Sequence, residues 1–188
     1  MRVFVKKQGS GSIGYVMMFT LALLLVILTL YLTQVARLMT HQHHADDSLA
    51  DSVLASLVAD DIYYFETLEM TGTPVVRFRN VDESHSIFVD CMNAAIAETA
   101  GFYYNFGFDS FICYEVEGGN VKITTYSGDA GTKSVSFGRL GTVRSPKGDV
   151  VTETSAYGKI RFDIKSIMDG SFITKSRDIY CTLEINSR

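Results

Sequence analysis

The stretch that decides the fold lies near the N-terminus, between Ser12 and Thr33, and reads SIGYVMMFTLALLLVILTLYLT. It contains no charged residue and no proline. About 20 apolar helical residues are enough to cross the roughly 30 Å hydrocarbon layer of a bilayer. A helix on the surface of a soluble domain would have a polar face, and this segment has none. The sequence therefore predicts a transmembrane helix over residues 12–33.

The charges on either side of this segment predict its orientation. Arg2, Lys6 and Lys7 precede it, whereas all 21 Asp and Glu residues follow it. Lys and Arg beside a membrane helix stay on the cytoplasmic side. The apolar run is longer than the core of a cleaved signal peptide, and no A-x-A-like site follows it. We therefore expect a single-pass anchor with a cytoplasmic N-terminus and an acidic extracytoplasmic part, which does not favour nucleic acid as a partner.

The region after the membrane segment continues in a helical pattern. Residues 34–70 contain no Gly and no Pro, and their apolar residues recur at steps of three to five. The pattern predicts one long helix, or two nearly collinear helices, from about Ser12 to Leu68, ended by Gly72 and Pro74. Its extracytoplasmic part, 34–70, is amphipathic. The residues expected on its apolar face are Leu49, Val53, Leu54, Leu57, Val58, Ile62 and Phe65.

The remaining residues, 71–188, predict an extracytoplasmic sheet domain. Alternating apolar and polar residues indicate strands, and Gly118-Gly119 indicates a hairpin turn. The strands are expected over 75–79, 112–116, 121–125, 134–140, 159–165 and 179–185. A helix is expected over 86–100, with Ile87, Cys91, Ala94 and Ala95 on one side. The predicted fold class is α+β: a long N-terminal transmembrane-plus-amphipathic helix packed on a mostly antiparallel sheet with one polar face.

The chain has three cysteines, Cys91, Cys113 and Cys181. This number is small and odd, so it does not indicate a disulfide framework. In the alternating pattern Cys113 lies opposite the apolar residues of its strand, whereas Cys181 lies among them. We therefore expect these two thiols on opposite sides of the sheet, free and too badly oriented to bridge.

Residues at the start of the chain carry a family resemblance. Lys6-Lys7-Gln8-Gly9 precedes Ser10, and counting from Ser10 the fifth and sixth residues are Gly14 and Tyr15. With the long N-terminal helix and small sheet domain, this layout resembles type IV pilin-like proteins, most closely the pseudopilins and minor pilins of the tight-adherence pilus family. Those pilins have a leader ending in Gly and then Glu and Tyr at these two positions, so Tyr15 matches and Gly14 does not.

The resemblance implies a function and a set of partners. It implies a basic leader, residues 1–11, with a processing site for a prepilin peptidase between Gly9 and Ser10. It also implies a structural subunit of a cell-envelope filament, which contacts other pilin-like subunits and the pilus assembly machinery. The alternative is a monomeric, single-pass membrane-anchored extracytoplasmic binding module.

The apolar helix itself contains candidate assembly residues. Gly14, Thr20 and Ala22 are small or hydroxylated, which permits close approach of neighbouring helices. Tyr15 carries the resemblance, and Leu24 lies in the middle of the apolar half, away from the sheet domain. We expect this set to form the assembly helix.

Residues that could support chemistry are few. His41, His43, His44, Asp46 and Asp47 could include metal ligands, but polar residues are expected just outside a membrane in any case. The chain has no G-x-S-x-G motif and no phosphate-binding loop with its lysine. We therefore expect no enzyme, no metal and no cofactor.

An aromatic segment follows the predicted helix, over residues 101–111, and reads GFYYNFGFDSF. We expect a loop there whose side chains either plug one end of the sheet or form a contact surface, since aromatic residues supply much of the energy of interfaces. The contact candidates are Phe102, Tyr103, Tyr104, Phe106 and Phe108.

Overall fold

A computed structural model describes residues 10–99, 101–166 and 170–183. The chain divides into two compact units, residues 1–43 and 44–188, and the division lies inside the first helix. Most of the predicted leader, including Gly9, lies outside the described residues, so the processing prediction stays a prediction. The α+β architecture is confirmed, since a long N-terminal helix packs through its last part on a five-stranded antiparallel sheet.

The first helix, α1, spans Ser10–Ser56. From Ile13 onward it is long and apolar enough to cross a membrane. The predicted transmembrane-type helix is confirmed in this sense, because the segment has no breaker and an unbroken run of residues that tolerate helix. Its last turns carry the residues Ala45, Leu49 and Val53, which are almost completely buried in the second unit.

A second helix, α2, spans Asp61–Thr71, so the helical region is interrupted after Ser56. The expectation of one unbroken helix is wrong. Two helices are found, as the alternative required, and their near collinearity stays a prediction. Asp60 caps α2, since its Oδ1 accepts a hydrogen bond of 3.1 Å from the Tyr63 N–H. The left-handed Gly72 ends the helix by donating to the Leu68 carbonyl at 2.9 Å, as its sequence predicts.

The interruption is caused by bonding to a distant segment. The Asp60 N–H donates to the Arg77 carbonyl at 3.0 Å, and the Arg79 N–H donates to the Val58 carbonyl at 2.9 Å. The short strand expected over 75–79 is reduced to a single bridge between Ala59 and Phe78. The backbone of 57–60 therefore pairs with 77–79 instead of continuing the helix.

The third helix, α3, spans Val81–Glu98 and begins five residues before the predicted start at 86. Asn80 caps it, because its side-chain oxygen accepts from the N–H groups of Asp82 and Glu83. The buried face consists of Ser84, Phe88 and Met92, at steps of four. The face predicted from Ile87, Cys91, Ala94 and Ala95 is therefore wrong by about a fifth of a turn, since the large residues Phe88 and Met92 determine which side is buried.

Five strands form one antiparallel sheet in the order β3-β2-β1-β4-β5. Their bounds are β1 Tyr103–Glu117, β2 Asn120–Ser127, β3 Thr132–Arg139, β4 Ser155–Lys165 and β5 Phe172–Thr182. The hairpin at Gly118-Gly119 is confirmed: both glycines have positive φ, and Glu117 pairs with Asn120.

One face of the sheet is covered by α3 and the end of α1. Ile160 and Phe162 of β4 are fully buried on this face. Both helices approach the sheet most closely at Gly158, where an added Cβ would lie 2.7 Å from Val53 Cγ2 and 3.0 Å from Phe88 Cε2. The amphipathic half, residues 34–70, was predicted to cover the sheet, and this is confirmed for its part in α1, at Ala45, Leu49 and Val53. The part in α2 contributes no buried residue.

The opposite face carries a second hydrophobic core, so the expectation of one polar face is wrong. This core contains Ile112, Tyr114, Val121, Val151 and Tyr157, with Val143 packed against it. Val143 and Val151 belong to the connection between β3 and β4, which folds back over the sheet and is held by a 3.0 Å hydrogen bond from the Val151 N–H to the Val143 carbonyl. Residues 140–154 therefore cover a face that was expected to meet solvent.

The cysteines also differ from their predicted placement. Cys113 pairs with Ala156, and Ala156 pairs with Cys181, so the three residues form one row across β1, β4 and β5. Residues in one row point to the same side of a sheet, so the opposite-face assignment is wrong. The thiols are free, as predicted. The reason is distance, because two strand spacings of about 4.8 Å separate their strands.

Candidate assembly and contact surfaces

The apolar half of α1 presents an exposed surface. Every side chain from Ile13 to Thr33 is exposed in the described chain, and those of Tyr15 and Leu24 are 78% and 62% accessible. Water does not accommodate so long an apolar surface, and soluble monomers rarely expose contiguous apolar patches above a few hundred Å². This surface therefore requires lipid, other helices, or both.

The predicted assembly residues fall on two sides of this helix. At about 100° per residue, Gly14, Tyr15 and Ala22 lie within one arc of about 100°, whereas Thr20 and Leu24 lie on the other side. A Cβ added at Gly14 would meet nothing within 4 Å. The helix therefore has a side with small residues at Gly14 and Ala22, and the five candidates do not form one contact surface.

The threonine hydroxyl groups of the apolar half are satisfied within the helix. Thr20 Oγ1 donates to the Val16 carbonyl at 2.9 Å, and Thr33 Oγ1 donates to the Thr29 carbonyl at 2.8 Å. Thr29 donates to the Leu25 carbonyl in the same way. These threonines therefore place no unpaired polar group on a surface that suits hydrocarbon.

The aromatic segment is a strand, so the prediction of a loop at 101–111 is wrong. Tyr103 is buried and packs edge-on against Phe162, with ring centroids 4.8 Å apart. Phe108 is half-buried and packs against Phe88 at 5.6 Å. Of the predicted contact residues, Phe102 and Phe106 are also half-buried, and Tyr104 is the exposed one at 38%. Most of this set therefore plugs the sheet, which is the first of the two predicted roles.

The start of β1 is irregular because two bulges interrupt its pairing with β4. Gly107 lies between them, where an added Cβ would meet Asp129 Oδ1 at 2.6 Å and the Arg161 guanidinium at 2.7 Å. Arg161 donates to Asp109 at 2.9 Å and also pairs with Asp129. The paired charges therefore hold the bulge in place and are not available to a ligand.

The helix α2 exposes a row of apolar side chains that the sequence pattern had placed in the core. Ile62, Phe65 and Met70 are 73%, 60% and 84% exposed, and α2 has no buried residue. The expectation that Ile62 and Phe65 continue the buried face of Leu49 and Val53 is therefore wrong. The interruption at 57–60 resets the helical phase, so residues beyond it no longer share a face with those before it.

A tyrosine and an arginine hold α2 on the domain. The Tyr63 hydroxyl donates to Glu117 at 2.9 Å, and the Arg77 guanidinium lies 3.5 Å from the centre of the Tyr63 ring. Arg77 also donates to Asp60 at 2.9 Å. The hydrogen bond from the Tyr63 N–H and the contact with Arg77 lower the pKa of Asp60. The inner side of α2 is thus fixed by polar contacts, which leaves its apolar outer side without cover.

A shallow groove of about 520 Å³ lies beside this anchor, lined in part by Arg77, Glu115, Lys122 and Phe137. Its cations are already paired, since Lys122 lies 2.7 Å from Glu115 and Arg77 lies 2.9 Å from Asp60. The groove therefore offers an anion no uncompensated positive charge.

A second polar cluster joins α3 to the sheet. The Asp82 carboxylate accepts from Lys133 Nζ and from the Tyr126 hydroxyl, each at 2.6 Å, and these bonds lower the pKa of Asp82. The His85 ring stacks on Tyr126 at 4.1 Å. Partial burial lowers the pKa of His85 and raises that of Tyr126. Burial therefore favours the neutral form of His85, and the cluster ties α3 to β2 and β3.

The helices of the second unit carry acidic charge without basic charge. No Lys or Arg occurs between Arg37 and Arg77, whereas seven Asp and Glu do, and α3 contains four acids with no Lys or Arg. The exposed strand β3 contains Lys133, which pairs with Asp82 of α3, and Arg139, and it contains no acid. The helices and this edge of the sheet therefore have opposite charge.

The histidine-rich segment 41–47 follows the apolar half of α1. Within the described residues, no group of three potential metal ligands is found. The His44 Nδ1 lies 2.9 Å from the Ser48 hydroxyl, and Asp46 forms a 2.8 Å ion pair with Arg177. These contacts occupy His44 and Asp46, two of the five side chains that the sequence suggested as ligands.

The exposed face of α2 and the charge of β3 were missed from the sequence. Residues from Met39 to Val76 include acids but no Lys or Arg, and this was a usable signal for the exposed face of α2. The usable signal for the charge of β3 was an alternating pattern, formed by Lys133, Val135, Phe137 and Arg139. The chain matches none of the protein-family models, curated proteins or solved structures with which it was compared.

Proposed function

We propose that this chain is a pilin-like structural subunit, a minor pilin or pseudopilin, of a cell-envelope filament that assembles through its N-terminal helix. The observation that carries the proposal is the exposed, uncharged surface of α1 from Ile13 to Thr33. The last turns of the same helix are part of the core of the sheet domain, at Leu49 and Val53. A helix with both properties is suited to gathering small domains by helix-to-helix contact.

The side with small residues supports close contact between such helices. Gly14 and Ala22 differ by eight residues and lie on one side, so a neighbouring helix can approach closely at these two positions. Thr20 lies on the other side, and its hydroxyl is committed to the Val16 carbonyl. Gly14→Leu and Ala22→Leu should therefore weaken association, whereas Thr20→Leu, which also adds bulk, is the matched control.

The decisive experiment is site-specific photo-crosslinking of the full-length chain in its own membrane. A photoreactive residue is placed in turn at each position from Tyr15 to Leu30. We expect cross-links to pilin-like subunits, strongest near Ala22 and weaker by at least about tenfold after Gly14→Leu. Insertion is checked in parallel by alkaline extraction. Cross-links to lipid alone at every position would overturn the proposal in favour of the monomeric anchored binding module.

The proposal includes a topology and a processing step. The N-terminus is cytoplasmic, the second unit is extracytoplasmic, and a prepilin peptidase removes the leader after Gly9. Protease added to intact spheroplasts should digest residues after about 45 and spare the N-terminus. Intact-mass measurement of the membrane form should show a chain that begins at Ser10, and a protected second unit or a full-length chain would contradict these two steps separately.

A further inference from the structure

Two exposed apolar surfaces of the second unit have opposite charge. On α2, Ile62 and Phe65 are 73% and 60% exposed, and Glu66 and Glu69 flank them on the same side of the helix. On β3, the edge strand of the sheet, Val135 and Phe137 are 49% and 75% exposed. An exposed Phe in an unpaired edge strand is unusual, because such edges are open to association.

We propose that α2 of one copy of this chain docks on β3 of the next copy, in a head-to-tail contact. The inference rests on the proposed function and names a second surface through which subunits meet. Phe65 and Ile62 would lie against Val135 and Phe137, with Glu66 near Arg139. The contact removes from water the apolar side chains that both elements leave exposed.

Charge selects this pairing among the three self-contacts available. An α2-to-α2 contact would bring Asp61, Glu66 and Glu69 against the same acids. A β3-to-β3 contact would bring together two strands that carry Arg139 and no acid, since Lys133 is already paired with Asp82. The α2-to-β3 contact places opposite charges together, which favours encounter and register.

Charge also disfavours a lipid surface as the occupant of α2. Peripheral helices that lie on anionic membranes carry Lys and Arg on their polar face. Residues 61–71 carry three acids and no base. Anionic headgroups would therefore repel this face of α2.

The small size of the two elements makes the contact weak by itself. An 11-residue helix is about 16 Å long, and a contact of that length falls below the roughly 1,200 Å² of a standard interface. Copies held in one membrane meet at high effective concentration, which allows a weak second contact to add to the helix contacts. Because the two patches differ, the contact is heterologous, and heterologous contacts propagate unless a ring closes.

The test is cysteine cross-linking between two differently tagged full-length chains in one membrane. One chain carries Met70→Cys at the end of α2, and the other carries Leu140→Cys just after β3, so no charge is changed. Both contain Cys91→Ser and Cys181→Ser, which leaves buried Cys113 as the native thiol. A short bis-maleimide should join the two tags. The matched control pairs Leu140→Cys with Asp90→Cys, an exposed position on α3.

Charge reversal gives the sharper readout. Glu66→Lys should lower the yield about fivefold, as expected for loss of one exposed ion pair plus a new repulsion. With Glu66→Lys on the chain that carries Met70→Cys, adding Arg139→Glu to the partner chain that carries Leu140→Cys should restore the yield, and high salt should lower the wild-type yield. Protection of Cys113 from alkylation confirms that each variant is folded.

The outcomes separate this inference from the proposed function. A product from Met70→Cys alone would show an α2-to-α2 contact and would overturn the head-to-tail arrangement. Capture of a different, basic protein at Met70 in place of a second copy would overturn it as well. No product at Met70 while positions 15–30 still cross-link would reject this inference and leave the proposed function intact, whereas no product at either region would reject both.

Discussion

Gly158 is a position at which a single added methyl group should be costly, because its neighbours are buried. It lies in the middle of β4, and a Cβ there would be 2.7 Å from Val53 Cγ2 on α1 and 3.0 Å from Phe88 Cε2 on α3. Both neighbours are fully buried, so neither can move into solvent. Forcing an extra methylene into a well-packed core costs about 1–3 kcal/mol, and we expect about 2 kcal/mol for Gly158→Ala.

A second substitution should offset part of this cost. Val53→Ala alone removes two buried methyl groups and should cost about 2 kcal/mol. In the double variant the new methyl of residue 158 occupies the space that Val53 Cγ2 leaves. The double variant should therefore lose about 2 kcal/mol instead of about 4, a coupling energy of about 2 kcal/mol.

Cys113 provides the assay without an added label. It lies on β1, between β2 and β4, and is fully buried. Burial also raises the pKa of its thiol. Alkylation of Cys113 therefore requires opening of the sheet. When closing is fast compared with labelling, the labelling rate follows the open population. A loss of 2 kcal/mol should raise the rate of Cys113 alkylation about 30-fold, as measured by mass spectrometry of the full-length protein in detergent.

The control for this prediction is Leu54→Ala, the neighbour of Val53 on α1. Leu54 is 53% exposed, so its truncation should neither destabilise strongly nor relieve Gly158→Ala. Labelling of Gly158→Ala at the wild-type rate would refute the close packing of α1 and α3 on β4. Equal rescue by Val53→Ala and Leu54→Ala would refute the assignment of the contact to Val53.

Three further predictions concern buried polar groups and thiols. Ser84 is buried, and its hydroxyl has no hydrogen-bond partner among the described residues, so Ser84→Ala should stabilise the folded protein by about 1 kcal/mol. Ser56→Ala loses a 2.6 Å hydrogen bond to a carbonyl and should destabilise the folded protein by about 1 kcal/mol. The same labelling assay measures both. The pKa of His85 is lower in the folded state, so the unfolded chain binds more protons and stability falls as the pH drops below about 6.5. His85→Phe should keep the ring contact and flatten this dependence between pH 5 and 7, and an unchanged slope would contradict it. Non-reducing peptide mapping should find Cys113 and Cys181 as free thiols in the folded protein, and a bond between them would contradict the observed strand order.

The features predicted correctly from the sequence are those with local causes. The helix over 12–33 follows from composition alone, and the Gly118-Gly119 turn follows from the φ angles that a two-residue hairpin needs. The capping of α2 by Gly72 is equally local. These features need no knowledge of what lies elsewhere in the chain.

The features predicted wrongly depend on contacts between distant residues. No Gly or Pro marks the interruption after Ser56, since it results from bonds to Arg77 and Arg79 further along the chain. The cover of the second core depends on Val143 and Val151, which lie in a segment rich in loop-forming residues. A hydrophobic pattern shows that a residue will be buried but does not show which partner will bury it.

The candidate surfaces were predictable to different degrees. The exposed membrane-type surface of α1 was predicted directly from the amino-acid composition of residues 12–33. The outer face of α2 was not, because Ile62 and Phe65 continue the spacing of Leu49 and Val53, and the change of phase between them is visible only in three dimensions. Charge was the better guide there, since α2 has acids but no base.

In the row formed by Cys113, Ala156 and Cys181, the two outer thiols can report the order in which the strands of each molecule joined. With β4 in place, Ala156 stands between them and they cannot meet. A disulfide between them would form in an oxidising compartment only if β1 and β5 came together before β4 was inserted. The fraction of chains from cells that contain a Cys113–Cys181 disulfide would thus measure how often the strands joined in the wrong order. In the Ala156→Cys variant each outer thiol has a neighbouring thiol on β4, so a disulfide to residue 156 would mark chains whose strands joined in the correct order.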